Sequence, residues 1–396
     1  MKERLQLVSM YETGRYRVAE LAKQFGVSRK TAYKWLGRFA QEGLAGLEER
    51  SRAPRRHPNA TSLEMVQVVL RVKVAHPTWG PAKLLPPSEG GAELAAAWPA
   101  PSTRGSILAR YGLVAARRRR RRVVLWSQPF QHADGPNAVW CADFKGWVRT
   151  GDGSRCDPLT ISDAFSRMLL CCQILPKTDY AHVRPVFERA FRQYGLPLAI
   201  RTDNGPPFAS VGAGGLSPLA AWWVKLDITP ERIQPGHPEE NGRHERMHRT
   251  LKAETMRPPA ATPTAQQQRC DAFRLVYNTQ RPHQALGQVP PATLYAPSQR
   301  PYPPHVHDPV YPPLTEVRRV RHNGQIKWRG ELVFVSEALV GELVGISEYH
   351  DSWLVSFGPI HLGRLRPHQS TLDRLPLPQA IGPVAPKEIF VTDVHS

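Results

Sequence analysis

Apolar positions in the first forty-five residues recur at helical spacing. Leu5, Val8 and Tyr11 open a stripe, and Val18, Leu21, Ala22 and Phe25 continue it to a break at Gly26-Val27-Ser28. The Ser28 hydroxyl is placed to cap a following helix. In that helix Ala32, Trp35, Leu36 and Phe39 share one face, while Arg29, Lys30, Thr31 and Lys34 lie on the other. A helix, a tight glycine turn and a capped basic helix predict a helix-turn-helix, whose second helix would enter the major groove. A second helical stretch begins at Ser62, with Val66, Val69 and Leu70 apolar. Its pattern fails at Pro86-Pro87 and Gly90-Gly91, so residues 85–100 are expected to be irregular. Helical spacing returns at Ile107, Leu108 and Tyr111.

From Ala138 the period changes to two. Trp140, Ala142 and Phe144 take one side of a strand, and Val139, Cys141 and Asp143 the other. Further strands are expected at Pro158–Ser162 and Met168–Leu175, then a helix over Ala181–Tyr194 that Gly195 ends. A short strand at Leu198–Ile200 runs into Thr202-Asp203-Asn204-Gly205, and after it come helix 217–226, strand Ile228–Ile233 and helices 240–255 and 265–279. Three strands followed by alternating helix and strand predict a mixed α/β sheet with helices on its faces. Beyond a proline-rich connector, six short strands separated by glycine turns between 315 and 366 predict a small β-barrel. The expected division is a helix-turn-helix domain at 1–49, a basic linker at 50–61 and a second helical DNA-binding region at 62–123. An α/β core at 124–296, the barrel at 297–372 and a loosely ordered tail at 373–396 complete it.

Charge narrows the choice of partner. Among 396 residues, 53 Lys and Arg against 34 Asp and Glu leave a formal charge of +19, which points to a polyanion. The six consecutive arginines that begin Arg117, Arg118, Arg119, Arg120 are suited to tracking phosphate without reading sequence. No apolar run is long enough for a transmembrane span, and the first residues lack the apolar core of a secretory signal. Five scattered cysteines without a Cys-x-x-Cys pair argue against a disulfide framework or a cysteine zinc knuckle, and for a reducing interior.

Three acids are candidates for chemistry. Asp143 lies on the first strand of the α/β region, Asp203 where a short strand ends, and Glu245 on a helix opening with Asn241-Gly242. Carboxylates at strand ends are rigid mounts, and three together need cations to neutralise them. For a phosphodiester substrate two Mg²⁺ ions suit that need, with Mn²⁺ as a substitute: one activates the attacking oxygen, the other stabilises the leaving oxygen. Glu245, His248, Arg249 and Lys252 follow i, i+3, i+4, i+7, which suits a helix lying along a phosphate backbone. The same segment, His244-Glu245-Arg246-Met247-His248, also matches H-E-x-x-H, a zinc-protease pattern. Against zinc stand the charged flanks of the motif, the lack of a fitting third ligand, and the unexplained Asp143 and Asp203. Asp163 reads as a turn residue between strands.

Three blocks together resemble a known family. Trp140-Cys141-Ala142-Asp143-Phe144-Lys145-Gly146, Arg201-Thr202-Asp203-Asn204-Gly205-Pro206-Pro207-Phe208 and Pro238-Glu239-Glu240-Asn241-Gly242-Arg243-His244-Glu245-Arg246 are similar to the catalytic blocks of bacterial insertion-sequence transposases with a retroviral-integrase-type core. Tyr277-Asn278, Arg281-Pro282-His283 and Leu286 resemble the block after the catalytic helix. The resemblance implies an RNase H-like fold for the α/β core and a D-D-E triad of Asp143, Asp203 and Glu245 holding two Mg²⁺. It further implies DNA cleavage and strand transfer at transposon ends, with double-stranded DNA as partner. A homo-oligomeric synaptic complex, no membrane, and a cytoplasmic, nucleoid-associated location go with it. That family often has about 35 residues between the second aspartate and the glutamate, a spacing that Glu239 would meet. Glu245 is preferred for its Asn-Gly-x-x-Glu-Arg context, with the glycine-rich Val211–Gly215 stretch as an insertion. The family's helix after His76-Pro77-Thr78-Trp79-Gly80 is broken here by Leu85-Pro86-Pro87, so a DNA-binding protein with an inactive core is the alternative.

Overall fold

A computed structural model describes residues 2–50, 60–114, 133–210, 212–233, 242–366 and 371–375. The arginine run, Glu239 and nearly all of the expected tail lie outside these residues. The chain falls into two units, Met1–Glu64 and Met65–Ser396.

In the first unit, α1 (Lys2–Glu12), α2 (Val18–Gln24) and α3 (Arg29–Glu42) bury Leu7, Val18, Leu21, Ala22 and Ala32 together. Gly26 makes the turn at φ 62°, a backbone conformation that costs glycine little. The Ser28 hydroxyl then accepts from the Thr31 N–H at 3.2 Å and caps α3. Trp35 closes a second small cluster with Val8 and Leu47, and the Arg4 guanidinium lies over its ring at 3.9 Å. This packing leaves Arg29, Lys30 and Lys34 exposed and Thr31 partly so.

The second unit begins within α4 (Leu63–Ala75) and continues through α5 (Gly91–Ala97) and α6 (Pro101–Arg110). Val66, Val69, Trp79, Leu84, Ile107 and Leu108 form its helical core, against which Val276 packs. Residues 85–100, expected to be irregular, do contain the seven-residue α5, but that helix buries none of its residues. The stretch is held at its ends: the Leu84 carbonyl accepts from Trp98 Nε1 at 2.8 Å and also from the Arg104 guanidinium.

The mixed sheet has β1 (Val139–Phe144) near its centre. β3 (Arg155–Asp163) runs antiparallel to β1 and to β4 (Leu169–Leu175), and the short β2 (Val148–Arg149) pairs with its start. On the other side of β1 lie β5 (Ala199–Thr202) and β6 (Thr229–Arg232), both parallel. α7 (Tyr180–Tyr194) and α8 (Pro218–Lys225) cover one face through Phe187, Phe191 and Trp223, packed on Trp140, Leu159 and Ile161. α9 (Gly242–Thr255) and α10 (Pro263–Thr279) cover the other, with Met247, Leu251, Cys270 and Phe273 against Leu169 and Cys172. The alternation of apolar residues along β1 therefore has a partner on each side, as its period-two pattern predicts.

Along its outer edge β4 has no strand partner among the described residues, but it is not left bare. From α10, Asn278 accepts from the Leu169 N–H at 2.8 Å and donates to the Leu169 carbonyl at 2.9 Å. Arg274 donates to the Leu170 carbonyl, and Gln267 serves the Ile174 N–H and the Cys172 carbonyl. Three side chains on one helix thus do the work of a neighbouring strand.

The carboxy-terminal strands are β7 (Glu316–Arg319), β8 (Gln325–Trp328), β9 (Glu331–Phe334), β10 (Leu343–Tyr349), β11 (Ser352–Phe357), β12 (Ile360–Leu365) and β13 (Asp373–Arg374). They make an open five-stranded sheet, β13-β12-β11-β10-β7, and a separate hairpin, β8-β9. The expected barrel is therefore not formed among the described residues. β7 and β13 stay at opposite edges, and among the described residues one β-bridge, Phe334 to Thr371, leads out of the hairpin. Burial replaces closure: Ile326, Val333, Val344, Val355 and Phe357 join the cluster on the α8 side of the core. Lys225 of α8 pairs there with Glu342 and Asp308, each at 2.9 Å.

Asn278→Leu removes both partners of the Leu169 peptide groups inside a buried interface. The expected outcome is a loss of roughly 2–4 kcal/mol, read as a lower urea midpoint of the full chain, with Asn278→Asp also destabilising because its carboxylate cannot donate to the Leu169 carbonyl.

Candidate active site

The sheet's register brings the two aspartates together. β1 and β5 pair with Val139 beside Ala199, Trp140 beside Ile200 and Cys141 beside Arg201. The pairing ends there: Asp143 lies two residues further along β1, and Asp203 one residue past the carboxyl end of β5, its parallel neighbour. Asp203 opens a tight turn: its Oδ1 accepts from the Gly205 N–H at 3.3 Å, and Asn204 Nδ2 donates to the Ile233 carbonyl at 2.9 Å. Behind it, Arg201 and Glu231 tie β5 to β6 by a buried ion pair, with guanidinium contacts of 2.9 and 2.7 Å to Glu231 Oε2. Asp163, by contrast, is a turn residue, accepting from the Asn137 N–H and from the Ser166 N–H and hydroxyl.

α9 lies over the face that carries Asp143. Thr160 stands opposite Asp143 on β3, in the same register pair. Its Oγ1 lies 2.7 Å from His244 Nε2, 2.7 Å from His248 Nε2 and 3.1 Å from the Asp143 carbonyl oxygen. Ser162, next on that face of β3, meets His244 Nδ1 at 3.2 Å. Both imidazoles are buried and meet edge to face. His248 Nδ1 is 3.7 Å from Asp143 Oδ2. Burial lowers His244 to about 3 and His248 to about 2, in the latter with help from His244 and Lys145. The rings are neutral at pH 7, so the His248–Asp143 approach is not an ion pair.

Asp143, His244 and His248 present ligand atoms within 4.8 Å of one another, and Asp203 and Glu245 are not part of that group. Glu245, Arg249 and Lys252 are exposed on α9. His248 was expected beside Arg249 and Lys252 on a DNA-facing side; at 4% exposure it faces the sheet instead. His244, Thr160 and Ser162 were not singled out as site residues. The i, i+4 spacing of the histidines and the parity of Thr160 and Ser162 with Asp143 are the signals that could have found them.

The donor set can be tested against the cations expected of it. Carboxylate oxygens of Asp143, Asp203 and Glu245 suit a hard divalent ion such as Mg²⁺. Imidazole nitrogens suit zinc, bound at about 2.0–2.1 Å. Thr160 Oγ1, in a residue with no exposed surface, already occupies the point towards which both Nε2 atoms converge. A zinc ion held by both Nε2 atoms would have to take the place of that hydroxyl.

Several regions of the chain are similar to known proteins. Residues 133–238 and 226–291 each match an integrase core domain, residues 3–55 a helix-turn-helix domain, and residues 31–93 a homeodomain-like domain. The chain is 30% identical over 187 residues to an uncharacterized 31.7 kDa protein of insertion element IS407 from Burkholderia multivorans, covering 47% of this chain and 65% of that protein. It is 30% identical over 184 residues to a 39.2 kDa protein of insertion element IS476 from Xanthomonas euvesicatoria, covering 46% and 51%. The chain thus spans about half to two thirds of the length of these relatives. The integrase catalytic core of HTLV-2, solved with magnesium, is 17% identical with a TM-score of 0.33, over 41% of this chain and 99% of that one. The chain thus carries a helix-turn-helix match ahead of an integrase core match, and it is similar to proteins of insertion elements. Cores of that kind generally use divalent metals.

The buried histidines make stability depend on pH. Burial also lowers His283 to about 3. The unfolded chain binds these protons near pH 6.5 and the fold does not, so stability is full above that value and falls as the pH drops below it. The expected cost is up to about 1.4 kcal/mol per pH unit for each ring, seen as a urea midpoint that declines from pH 7 to pH 5. His244→Gln should flatten that decline by one ring's share.

Proposed function

We propose that the chain is a transposase that cuts DNA at the ends of its element and joins those ends to a target. The observation that supports this reading is the parallel pairing of β1 and β5, with Asp143 near the carboxyl end of one and Asp203 just past the carboxyl end of the other. α9, bearing Glu245, lies across the face that carries Asp143, and these three are the carboxylates of the site. Glu239, outside the described residues, meets the common spacing, and Glu245 is preferred on its sequence context.

When bound, two Mg²⁺ ions, or Mn²⁺ in their place, supply charge stabilisation at the attacking and leaving oxygens. Asp143, Asp203 and Glu245 hold them by carboxylate oxygens. Exposed Arg249 and Lys252 lie along α9 where a phosphate backbone would pass, and the arginine run from Arg117 to Arg120 adds contacts that carry no sequence information. Arg29, Lys30, Thr31 and Lys34 sit at the start of α3, where a recognition helix meets base edges. A water oxygen attacks the phosphorus at the element's end and the 3′-oxygen leaves. The freed 3′-hydroxyl then attacks a target phosphorus, which exchanges one phosphodiester for another. Two ends cut together need more than one copy, so the working form is a homo-oligomer on DNA, in the cytoplasm and at the nucleoid. Among the described residues no helix is long and apolar enough to cross a membrane.

Asp143→Asn, Asp203→Asn and Glu245→Gln each keep shape and lose the charge that holds the metals. Each is expected to abolish cleavage of a donor plasmid while leaving end binding within about twofold in a gel-shift titration. Full cleavage by any one variant removes that residue from the triad, and activity of the Glu245 variant with loss in Glu239→Gln would move the assignment.

Sequence reading is tested separately. Arg29→Ala should cost about 1–3 kcal/mol on the element end and little on random duplex. Replacing Arg117 to Arg120 should weaken both duplexes alike and flatten the salt dependence. Affinities measured at several salt concentrations distinguish the two, and loss of only non-specific affinity in both sets would place end recognition elsewhere in the chain.

A further inference from the structure

The His244/His248 pair is the motif that the proposed chemistry leaves unused. It has the spacing of a zinc helix, yet its two Nε2 atoms meet on a hydroxyl. The hydrogen bonds around Thr160 can be counted. The Asp143 carbonyl only accepts, so the contact at 3.1 Å takes the one hydroxyl proton of Thr160. The Thr160 oxygen then has two lone pairs left, and the two Nε2 atoms at 2.7 Å fill them as donors. Both rings must therefore carry a proton on Nε2. His244 Nδ1 is then free to accept from the Ser162 hydroxyl at 3.2 Å. His248 Nδ1, a lone pair, faces Asp143 Oδ2 at 3.7 Å and adds no proton to that carboxylate.

We propose that Thr160 is a positioning residue, whose buried hydroxyl grips both imidazoles and so sets the rotation of α9, and with it where Glu245 stands relative to Asp143. The inference rests on the transposase reading for the role of Glu245. Two contacts one helical turn apart fix a helix about its own axis, which one contact cannot do. Glu245 follows His244 by one residue, about 100° round the helix, so a small rotation of α9 swings its carboxylate along an arc. The same hydroxyl holds the backbone of Asp143, which couples the helix to the strand that bears the first carboxylate. Its neutral partners leave the negative charge of the site for a metal ion.

The test uses the full chain and three readouts. Histidine ¹⁵N spectra without metal should show His244 and His248 as neutral Nε2–H rings. Thr160→Val should weaken Mn²⁺ binding, followed by electron paramagnetic resonance, by about tenfold, the worth of one well-formed hydrogen bond to the arrangement. It should raise the Mg²⁺ needed for half-maximal cleavage to the same degree, while metal-free binding to the element end stays unchanged. Thr160→Ser, which keeps the hydroxyl, should restore both. Should Thr160→Val not fold, His248→Gln, which keeps a donor for Thr160, is compared with His248→Leu; only the latter should lose metal affinity. Wild-type Mn²⁺ affinity in folded Thr160→Val or His248→Leu overturns the proposal, as do Nδ1–H tautomers for both rings. Stoichiometric zinc that His244→Gln abolishes overturns it too, by making the pair a metal site. A wild-type chain that binds no Mn²⁺ and cuts no DNA would instead sink the transposase reading, and the metal-free tautomers tell that failure from a failure of the clamp.

Discussion

The end of the core that carries Asp143 and Asp203 depends on one pairing, the parallel register of β1 and β5. A shift of one residue would turn every side chain of β5 to the opposite face. β5 is only four residues long, Ala199–Thr202, too short to hold its register by ladder hydrogen bonds alone. The Arg201–Glu231 pair locks it to β6 from the far side, and buried Ile200 packs into the aromatic core beneath Trp140. Burying that ion pair carries a desolvation cost, and its effect here is to pin a short strand at the point where a carboxylate must stand beside its neighbour.

The helices on that face work as extensions of the sheet. α10 closes the outer edge of β4 with Asn278, Arg274 and Gln267, while α9 meets β3 through Thr160 and Ser162. The block after the catalytic helix belongs to the same scheme. Arg281 pairs with Glu254 at 2.7 Å, and Tyr277 meets His283 edge to face. Glu254 also takes the Thr78 hydroxyl, so the end of α9 is tied both to α10 and to the preceding helical region. Residues that read as a sequence block are thus the connectors that hold the helix bearing Glu245 in place.

Much of this was legible from local pattern. The period-two run at 139–144, the Ser28 cap and the glycine after Tyr194 marked real elements, because each depends on neighbours in sequence. All six expected carboxy-terminal strands form for the same reason. Whether β7 meets β13 depends instead on strands far apart in the chain, and no local pattern encodes it. The face of α9 was misjudged in the same way. Charge grouped His248 with Arg249 and Lys252, but its orientation follows from Thr160, on a strand more than eighty residues earlier. Asp143 and Asp203 could be picked out by position at strand ends, whereas the adjacency of those two strands needed the parallel pairing.

The choice of histidine at these two positions has an electrostatic logic. The chain carries a net +19, and Arg246, Arg249 and Lys252 stand exposed on the outer side of α9. A buried lysine or arginine against Asp143 would neutralise its carboxylate and compete with any divalent ion for it. A buried apolar residue would leave the Thr160 hydroxyl without the partners that orient it. Neutral imidazole meets both conditions, since it donates a hydrogen bond without adding charge, and burial keeps it neutral over the whole physiological range. The charged residues of the helix, Glu245, Arg246, Arg249 and Lys252, thereby stay on its exposed side, and the side against β3 carries only neutral donors.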